Sequence, residues 1–517
     1  MNNYRRKNFN RKRGFNRRRQ QEPFHQPLPP NLEVLPSSRH TLTKPDVEAV
    51  VDALLSGTLL GGNEIDRFES LFAKLTHSRH AIAFNATGSV FAAALGCLHL
   101  KEGDEVIAST LNDSNLASAV ALCGAQLVLV DCDPETLTIS PEEVRTAITK
   151  KTKVVVSNNF LGHPSDMSAL REICDEHTLT LIDDARCGLG GKHRGYYIGN
   201  QADITCFSFA PDMAITSGEG GAITTDNNGF ASWIRLFREN GIERDASKMS
   251  SAQPYWMELQ FPGQFAKMSE MNAALGRSQL TRLDRHIDRR RTIADFYAQK
   301  LKENDDLILP YCAEWADHAY QAYSIQLTGR LYGKRDAVYK LLRERGIEPA
   351  VHVIPTHRMP YFASQQNVPS RFPNAESYFQ NCISLPMFPD LSIKAMERIT
   401  ETLIEVLEQA REMDVENTAT QEADAKTDEK PKKTTRGRRR SSGSKAKAEK
   451  TEKKDEVKEP APETNADAAK EDKPAKTTRR KRPAAKKDEA TDKPKTTRKR
   501  TTRKKKTADE ATEPKAE

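Results

Sequence analysis

Seven short runs rich in apolar and β-branched residues lie in the first half of the chain, and helical-looking stretches separate several of them. The runs are AIAF at 81, EVIAS at 105, AQLVLVD at 125, KVVVSN at 153, LTLID at 179, DITCFSF at 203 and GAITT at 221. Apolar strands that alternate with helices favour a mostly parallel sheet covered on both faces. We therefore predict an α/β fold, with a long helical region at about 269–304 that leads to a smaller α+β unit.

This regular pattern occupies only the middle of the chain. We predict a basic disordered arm at 1–30, a large domain at 31–268, a connecting helix with a small domain at 269–413, and a disordered tail at 414–517. From about Asp414 onward large apolar residues nearly vanish, and Lys, Arg, Thr, Ala, Glu and Pro dominate. Such a segment buries too little apolar surface to offset the entropy lost on ordering.

Charge is distributed unevenly along the chain. Residues 1–21 carry +9 and residues 421–517 carry +13, which leaves −14 between them because the whole chain is +8. Arginines interleaved with Tyr4, Phe9 and Phe15 favour RNA or single-stranded DNA as a partner of the first arm. The second arm lacks aromatic residues and is typical of a polycation that contacts a nucleic-acid backbone. The alternative partners are an anionic membrane surface or lipopolysaccharide, and the acidic middle of the chain itself.

Cysteine usage and hydropathy indicate a compartment. The eight cysteines are scattered without a Cys-x-x-Cys pair, which is typical of reduced thiols rather than of disulfides or a zinc site. The sequence contains no apolar run of about 18 residues, and the basic N-terminus lacks the apolar core of a secretion signal. We predict a cytoplasmic protein with no transmembrane segment and no metal.

Small and polar residues follow three of the predicted strands. Thr87 and Gly88 open a helix after AIAF, Asp183 and Asp184 follow LTLI, and Ser208 lies near the end of DITCFSF. Ligands of doubly wound folds bind beyond the carboxyl ends of strands, and N–H groups at a helix start form a phosphate cradle with a nearby hydroxyl. Each pattern alone is also typical of an ordinary turn or helix cap. Whether they form a ligand site therefore depends on the order of the motifs along the chain.

Taken in order, the motifs resemble those of the DegT/DnrJ/StrS sugar aminotransferase family, which are pyridoxal-phosphate enzymes of the aspartate-aminotransferase fold (fold type I). The motifs are GHPSDM at 162–167, GEGGAITT at 218–225, SEMNAALGRSQL at 269–280, IPTHRMPYF at 354–362 and SLPMFPDLS at 384–392. The resemblance covers about residues 35–412 and is closest to the branch that aminates nucleotide-linked 4-keto-6-deoxy sugars. It implies a large domain with a seven-stranded-type sheet, a homodimer, a nucleotide-sugar ligand and a role in polysaccharide or surface-sugar biosynthesis.

The resemblance also assigns cofactor-binding roles to residues that this chain retains. Asp184 matches the carboxylate that keeps the pyridine nitrogen protonated, so that the ring serves as an electron sink. Thr87, followed by Gly88, matches the threonine of the phosphate loop. Ser208 matches a serine that also binds the phosphate. Pyridoxal phosphate is thus the implied cofactor.

Other positions depart from the family pattern. Met213 stands where the family has the Schiff-base lysine of Ser-Phe-His-x-x-Lys, and Ala210 replaces its histidine. Cys187 ends the segment that is normally Asp-Ala-x-His/Gln, and Asp113 takes the position of the aromatic that stacks on the cofactor. Residues 263–267 replace the Gly-Phe-Asn-Tyr-Arg segment that a partner subunit lends to the site.

These substitutions oppose both catalysis and binding of the cofactor. A thioether has no titratable group, so Met213 can neither form a Schiff base nor act as a base, and Lys192 and Lys248 are not at the family position. We expect a catalytically degenerate family member that acts as a scaffold or sensor with polyanion-binding arms. The alternatives are an active pyridoxal-phosphate sugar aminotransferase with an unusual site, and a nucleic-acid-binding protein that uses the fold as a dimer platform.

Overall fold

The computed structural model describes residues 33–251, 253–363 and 368–427, with side chains up to residue 413. The predicted basic arm at 1–30 and the part of the predicted tail beyond Thr427 lie outside these ranges. Among the described residues, no helix combines the length and the apolar character needed to cross a membrane.

The strands are short and are numbered in chain order. They are β1 (His80–Phe84), β2 (Glu105–Ser109), β3 (Gln126–Val130), β4 (Thr152–Asn158), β5 (Thr180–Asp184), β6 (Lys192–His193), β7 (Tyr196–Tyr197), β8 (Ile204–Ser208), β9 (Gly221–Thr225), β10 (Ile242–Glu243), β11 (Glu258–Leu259), β12 (Leu307–Ile308), β13 (Ala316–Asp317), β14 (Tyr323–Leu327) and β15 (Cys382–Leu385). The strands β1 to β5, β8 and β9 correspond to the seven runs seen in the sequence.

The helices alternate with these strands in the first part of the chain. They are α1 (Lys44–Leu55), α2 (Asn63–Leu75), α3 (Thr87–Gly96), α4 (Ser114–Leu122), α5 (Pro141–Ala147), α6 (Met167–His177), α7 (Asn228–Arg238), α8 (Glu270–Leu280), α9 (Leu283–Leu301), α10 (Arg335–Glu344), α11 (Pro360–Ala363), α12 (Pro373–Asn381) and α13 (Ile393–Thr427). The predicted long helical region is two helices, α8 and α9, because the backbone leaves the helical conformation at Arg282.

The central sheet has seven strands in the order β1-β9-β8-β5-β4-β2-β3. The neighbouring strands β8, β5, β4, β2 and β3 run parallel to one another. Strand β9 is antiparallel to both of its neighbours, β1 and β8. Six strands therefore point the same way, and their carboxyl ends share one edge. The predicted mostly parallel α/β sheet is confirmed, with β9 as the reversed strand.

Apolar side chains cover both faces of this sheet. On β1, Ile82 and Phe84 pack in a core with residues of α3, α4 and α7, while Ala81 and Ala83 pack in another core with residues of α2 and α8. Alternate residues of a strand point to opposite faces, so β1 is buried between two layers of helices. This burial on both sides explains why the strands are continuous apolar runs in the sequence.

Helix α1 begins directly after Thr43, and its apolar face lies outward. Thr43 donates from its backbone N and its Oγ1 to the carboxylate of Asp46, at 2.8 and 2.9 Å. Asp46 is buried and also accepts from Nε2 of Gln279 on α8, at 2.9 Å. The helix therefore packs on α8 through this polar contact. Its large apolar side chains are exposed, namely Val47, Val51, Leu54 and Leu55.

A second, antiparallel sheet consists of β12, β14 and β15. Side chains of α9, α10 and α13 pack on it around the buried Tyr297 and Tyr323. This is the α+β unit that the sequence pattern indicates, and the exact boundary at residue 268 stays a prediction. The start of the tail at 414 also stays a prediction, while the backbone of α13 runs on to Thr427. The physical reason is that residues 393–427 contain neither Gly nor Pro, so nothing interrupts the helix there.

The loop after α7 depends on Gly241, which has a φ of 73°. A Cβ there would lie only 1.8 Å from the carbonyl oxygen of Phe261, whereas Gly57, also with a φ of 73°, has no atom within 4 Å of such a Cβ. We expect Gly57→Ala to lower the free energy of unfolding by roughly 1–2 kcal/mol from the left-handed conformation alone. Gly241→Ala should lower it clearly further in urea titrations, because the backbone must also move. Equal changes in the two variants would contradict this explanation.

Candidate functional site

Four of the predicted site residues lie at the carboxyl edge of the central sheet. Ser208 is the last residue of β8, Asp184 is the last residue of the adjacent β5, and Thr87 begins α3 directly after β1. The hydroxyl oxygens of Thr87 and Ser208 are 2.7 Å apart, and both residues are buried. Gly88 lies in the first turn of α3, where a Cβ would be 3.3 Å from Oδ1 of Asn115. The sequence thus places these residues together, as the strand order requires.

A carboxylate of the chain itself faces the start of α3. The backbone N of Thr87 donates to Oε1 of Glu219 at 3.3 Å, and Oγ1 of Thr87 is 3.4 Å from the same oxygen. Glu219 lies in the GEGG turn before β9. The first N–H groups of a helix have no acceptor within the helix and attract anions. One of them is therefore already bound to an anion.

Arg186 is bonded to both oxygens of Asp184. Its Nε is 2.8 Å from Oδ1 and its Nη2 is 2.8 Å from Oδ2, which is a bidentate ion pair. Its Nη1 is 2.8 Å from Oδ2 of Asp113, the residue that caps α4. One guanidinium thus joins the carboxylate at the end of β5 to the carboxylate at the start of α4.

The electrostatics of this cluster keep its cation charged and its thiol neutral. Burial opposes the charge on Arg186, but the Asp184 and Asp113 carboxylates outweigh it and raise the pKa of the guanidinium. Burial raises the pKa of the adjacent Cys187 thiol to about 12, so Cys187 is not a thiolate at neutral pH. Burial also raises the pKa of Asp183 to about 6. The wall of the site therefore holds one permanent cation between two carboxylates.

A buried hydrogen-bond network from residues 357–376 holds the loop that carries Asp113. Oγ1 of Thr110 is 2.6 Å from Nδ1 of His357, and Nε2 of His357 is 2.6 Å from Oε1 of Glu376. Arg358 donates from Nε to the same carboxylate at 2.6 Å. Because Thr110 and His357 are buried away from the site, we assign the network a supporting role: it holds residues 110–113 in place.

Because of this network, the stability of the native state depends on pH in the acid range. Hydrogen bonds from Arg358, and then from His357, lower the pKa of Glu376 from 4.5 to about 2, against the effect of burial. A group whose pKa is lowered on folding stabilises the native state above its unfolded pKa and loses that effect as the pH falls. We expect the difference in thermal midpoint between wild type and Glu376→Gln to be largest above pH 4.5 and to shrink towards pH 2. A difference that does not vary over this range would refute the assignment.

Met213 lies in the loop between β8 and β9, where its backbone N donates to the carbonyl of Ala210 at 3.1 Å. It is partly buried and lines the same cleft as Asp184, Arg186 and Cys187. The cleft has a volume of about 190 Å³. The thioether therefore lines the same cleft as Asp184, the residue that the resemblance assigns to the pyridine nitrogen.

A lysine from elsewhere does not take its place. Among the described residues, none of those lining this cleft is a lysine. Lys192 lies over the ring of Tyr197, at 4.5 Å from its centroid, and Lys248 pairs with Asp245 at 3.2 Å on the surface. Both lysines are thus engaged away from the cleft.

The segment at 263–267 also lies apart from the cleft of its own chain. Phe265 is 57 % exposed, and Nζ of Lys267 is 3.1 Å from Oε1 of Glu239. Neither residue lines the cleft. Phe265 is therefore available to a neighbouring subunit rather than to its own site.

The sequence did not single out Arg186, Asn112 or Glu219 as site residues. One feature of the sequence could have indicated Arg186. It follows Asp184 at the end of β5 by two positions, and an arginine side chain is long enough to fold back onto that carboxylate. Glu219 lay within the GEGG motif but had no role assigned. Asn112 is 3 % exposed, lines the cleft, and has an amide nitrogen without a hydrogen-bond partner among the described residues. Nothing in the sequence marks that nitrogen.

Comparisons with known proteins agree with this architecture. The model of the DegT/DnrJ/EryC1/StrS aminotransferase family matches residues 40–404. The spore coat polysaccharide biosynthesis protein SpsC of Bacillus subtilis is 32 % identical over 380 residues, which are 73 % of this chain and 98 % of that protein. The chain therefore belongs to the DegT/DnrJ/EryC1/StrS aminotransferase family.

Solved structures give the same fold. DesV of S. venezuelae, crystallised in complex with a ketimine intermediate, is 30 % identical with a TM-score of 0.64, covering 70 % of this chain and 93 % of its own. The aminotransferase TlmJ of Streptoalloteichus hindustanus is 25 % identical with a TM-score of 0.68, covering 72 % and 99 %. The expected fold type I architecture is thus confirmed.

Proposed function

We propose that this protein is a noncatalytic member of its family that acts as a scaffold or sensor in surface-polysaccharide biosynthesis. The observation that carries the proposal is the bidentate pair between Arg186 and Asp184, beside a methionine at the position of the family lysine. The polysaccharide context comes from the name of the relative SpsC. The roles of the individual site residues rest on the family resemblance.

The residues present do not fit pyridoxal phosphate. The pyridine nitrogen would have to displace Arg186 from Asp184, which would leave the guanidinium without that carboxylate. Loss of one partner from a buried ion pair costs about 3–5 kcal/mol. The phosphate would meet Glu219, which already accepts from the backbone N of Thr87. Met213 offers neither an amine for covalent attachment nor a base. Only the hydroxyl pair of Thr87 and Ser208 remains suited to the cofactor.

Circular dichroism in the visible range tests the proposal on the full chain. A cofactor held in an asymmetric pocket acquires an induced band, whereas cofactor attached non-specifically to lysines outside a pocket does not. We expect no induced band when pyridoxal phosphate is added to the wild type. A saturable induced band with transaminase activity would establish the alternative, an active enzyme with an unusual site.

We also propose that the protein is a homodimer, as the resemblance implies. Leu59, Leu60, Leu259 and Phe265 are exposed apolar side chains. The carbonyl of Leu59 accepts from the N of Glu270, at the end of the strand-like segment that contains Phe265 and Lys267. We expect Phe265→Asp to shift the sedimentation coefficient from dimer to monomer, because a charge there cannot be buried without a partner. The matched surface change Tyr332→Asp, at another exposed aromatic residue, should leave it unchanged.

Binding of a polyanion by the arms is a proposal from sequence alone, since residues 1–21 and 428–517 lie outside the described ranges. The charges of +9 and +13 on segments 1–21 and 421–517 support it. Affinity for single-stranded RNA should fall steeply with salt, and it should be lost when both arms are deleted. If the affinity and its salt dependence were unchanged after deletion, binding of the polyanion by the arms would be refuted. This test also covers the alternative of a nucleic-acid-binding protein on a dimer platform.

A further inference from the structure

We propose that the cleft lined by Asp184 and Met213 binds a neutral sugar ring, with Arg186, Asn112 and Asp113 as its polar contacts. The inference rests on the proposed noncatalytic function, because a cofactor held by Asp184 would occupy part of the same cleft. It adds the ligand class and the residues that recognise it.

One wall of the cleft carries an unused donor. Asn112 is 3 % exposed, and its Oδ1 accepts from the backbone N of Asp113 at 2.6 Å. Its amide nitrogen is buried without a partner among the described residues. A buried polar group without a hydrogen bond is costly and points to a missing partner. Because Asn112 lines the cleft, a ligand oxygen there would satisfy it.

Arg186 supplies more donors of the same kind. A guanidinium has five N–H groups, and Arg186 directs its Nε, Nη1 and Nη2 each towards a carboxylate. One N–H on each terminal nitrogen is left over. The carboxylate of Asp113 accepts from Arg186 and from the N of Asn115, which leaves lone pairs for a hydroxyl donor. The wall thus offers both donors and acceptors.

The charge balance selects a neutral ligand. Asp113, Asp184 and Asp212 line the cleft against the single cation Arg186. Burial lowers the pKa of His352, which also lines the cleft, so this imidazole is neutral at pH 7. The net negative charge of the cleft disfavours ligands with carboxylates or phosphates. A simple cation is disfavoured as well, because it offers no acceptor to the remaining N–H groups of Arg186 and Asn112. Hydroxyl groups both donate and accept, so a polyhydroxylated ring satisfies both sets.

The size of the cleft agrees with one ring. Its volume is about 190 Å³, which equals roughly six waters at about 30 Å³ each. Typical small-molecule sites range from about 300 to 1,000 Å³. A cofactor together with a sugar substrate would exceed this space, whereas a single monosaccharide would fill it.

Saturation-transfer NMR on the full chain tests this with two matched probes, methyl β-glucoside and methyl β-glucuronide, which differ by a carboxylate. We expect the glucoside to bind and the glucuronide to bind at least tenfold more weakly. Asn112→Asp keeps the acceptor for the N of Asp113 but removes the donor, and should weaken glucoside binding about tenfold. Asn200→Asp, at an exposed asparagine, is the matched control and should have no effect.

Met213→Phe is a second variant for the case that Asn112→Asp does not fold. Met213 is only partly buried, so the larger side chain of phenylalanine should be tolerated there. Its ring should fill the cleft and abolish binding of the glucoside. Equal binding of the two probes, glucoside binding that survives both variants, or no binding to the wild type would each overturn the inference. An induced band with pyridoxal phosphate would instead refute the proposed function, so the two failures are distinguishable.

Discussion

Replacing Arg186 by Met should lower the free energy of unfolding by about 3–5 kcal/mol, the range found when one partner of a buried ion pair is removed. The reason is that Asp184 and Asp113 are then left without their shared cation, 2.8 Å away in each case. Urea unfolding followed by fluorescence measures the change. If the guanidinium were an incidental surface group, the change would be within about 1 kcal/mol.

Two further variants separate the ion pair from simple packing. Adding Asp184→Asn to Arg186→Met should restore part of the lost stability, because it removes one of the unpaired charges. Arg145→Met is the matched control: its ion pair with Glu176 is 2.5 Å long, but both side chains are about half exposed. It should cost no more than about 1 kcal/mol. Additive effects of Asp184→Asn and Arg186→Met would show that the two residues are not coupled.

Introducing the missing lysine by Met213→Lys should not produce transaminase activity. A positioned acid–base group contributes typically about 10²–10⁴-fold to a rate, but only if the cofactor is held. In this chain Arg186 bonds both oxygens of Asp184. By the resemblance, Asp113 also replaces the stacking aromatic, and residues 263–267 depart from the segment that a partner subunit would lend. Turnover of a nucleotide-linked 4-keto sugar with an amino donor should stay at the level without enzyme.

A combined variant shows which obstacle matters for binding. Met213→Lys with Arg186→Ala and Asp113→Tyr frees Asp184 and supplies an aromatic ring. It should gain an induced visible band with pyridoxal phosphate that Met213→Lys alone lacks. Activity from Met213→Lys alone would mean that the remaining site is intact, and it would overturn the proposal that Arg186 and Asp113 block the cofactor.

The fold was predictable because its signals are redundant along the chain. The runs that became β1 to β5, β8 and β9 are each apolar and bounded by turns, and burial on both faces leaves such a trace in sequence. The outward face of α1 was not predictable, since periodicity shows that Val47 and Leu54 share a side but not what that side meets. The extent of α13 to Thr427 was not predictable from composition, because residues 414–427 resemble the rest of the tail in composition.

The site was predictable only where residues follow strands. Asp184, Ser208 and Thr87 come together because the parallel order brings those strand ends to one edge. The contact of Arg186 with Asp113 joins residues 73 positions apart in sequence, and it depends on the conformation of two loops. In the sequence, Asp113 and Cys187 look like separate losses. In the structure, Asp113 is instead one end of a new ion-pair cluster.

A noncatalytic role requires that no lysine of this chain takes up the cofactor in the cleft. The most direct test is to incubate the full wild-type chain with pyridoxal phosphate, reduce it with borohydride, and map the adducts by mass spectrometry. We predict substoichiometric labelling scattered over surface and tail lysines. Stoichiometric labelling of a single lysine, prevented by a sugar-nucleotide amine, would contradict the noncatalytic role.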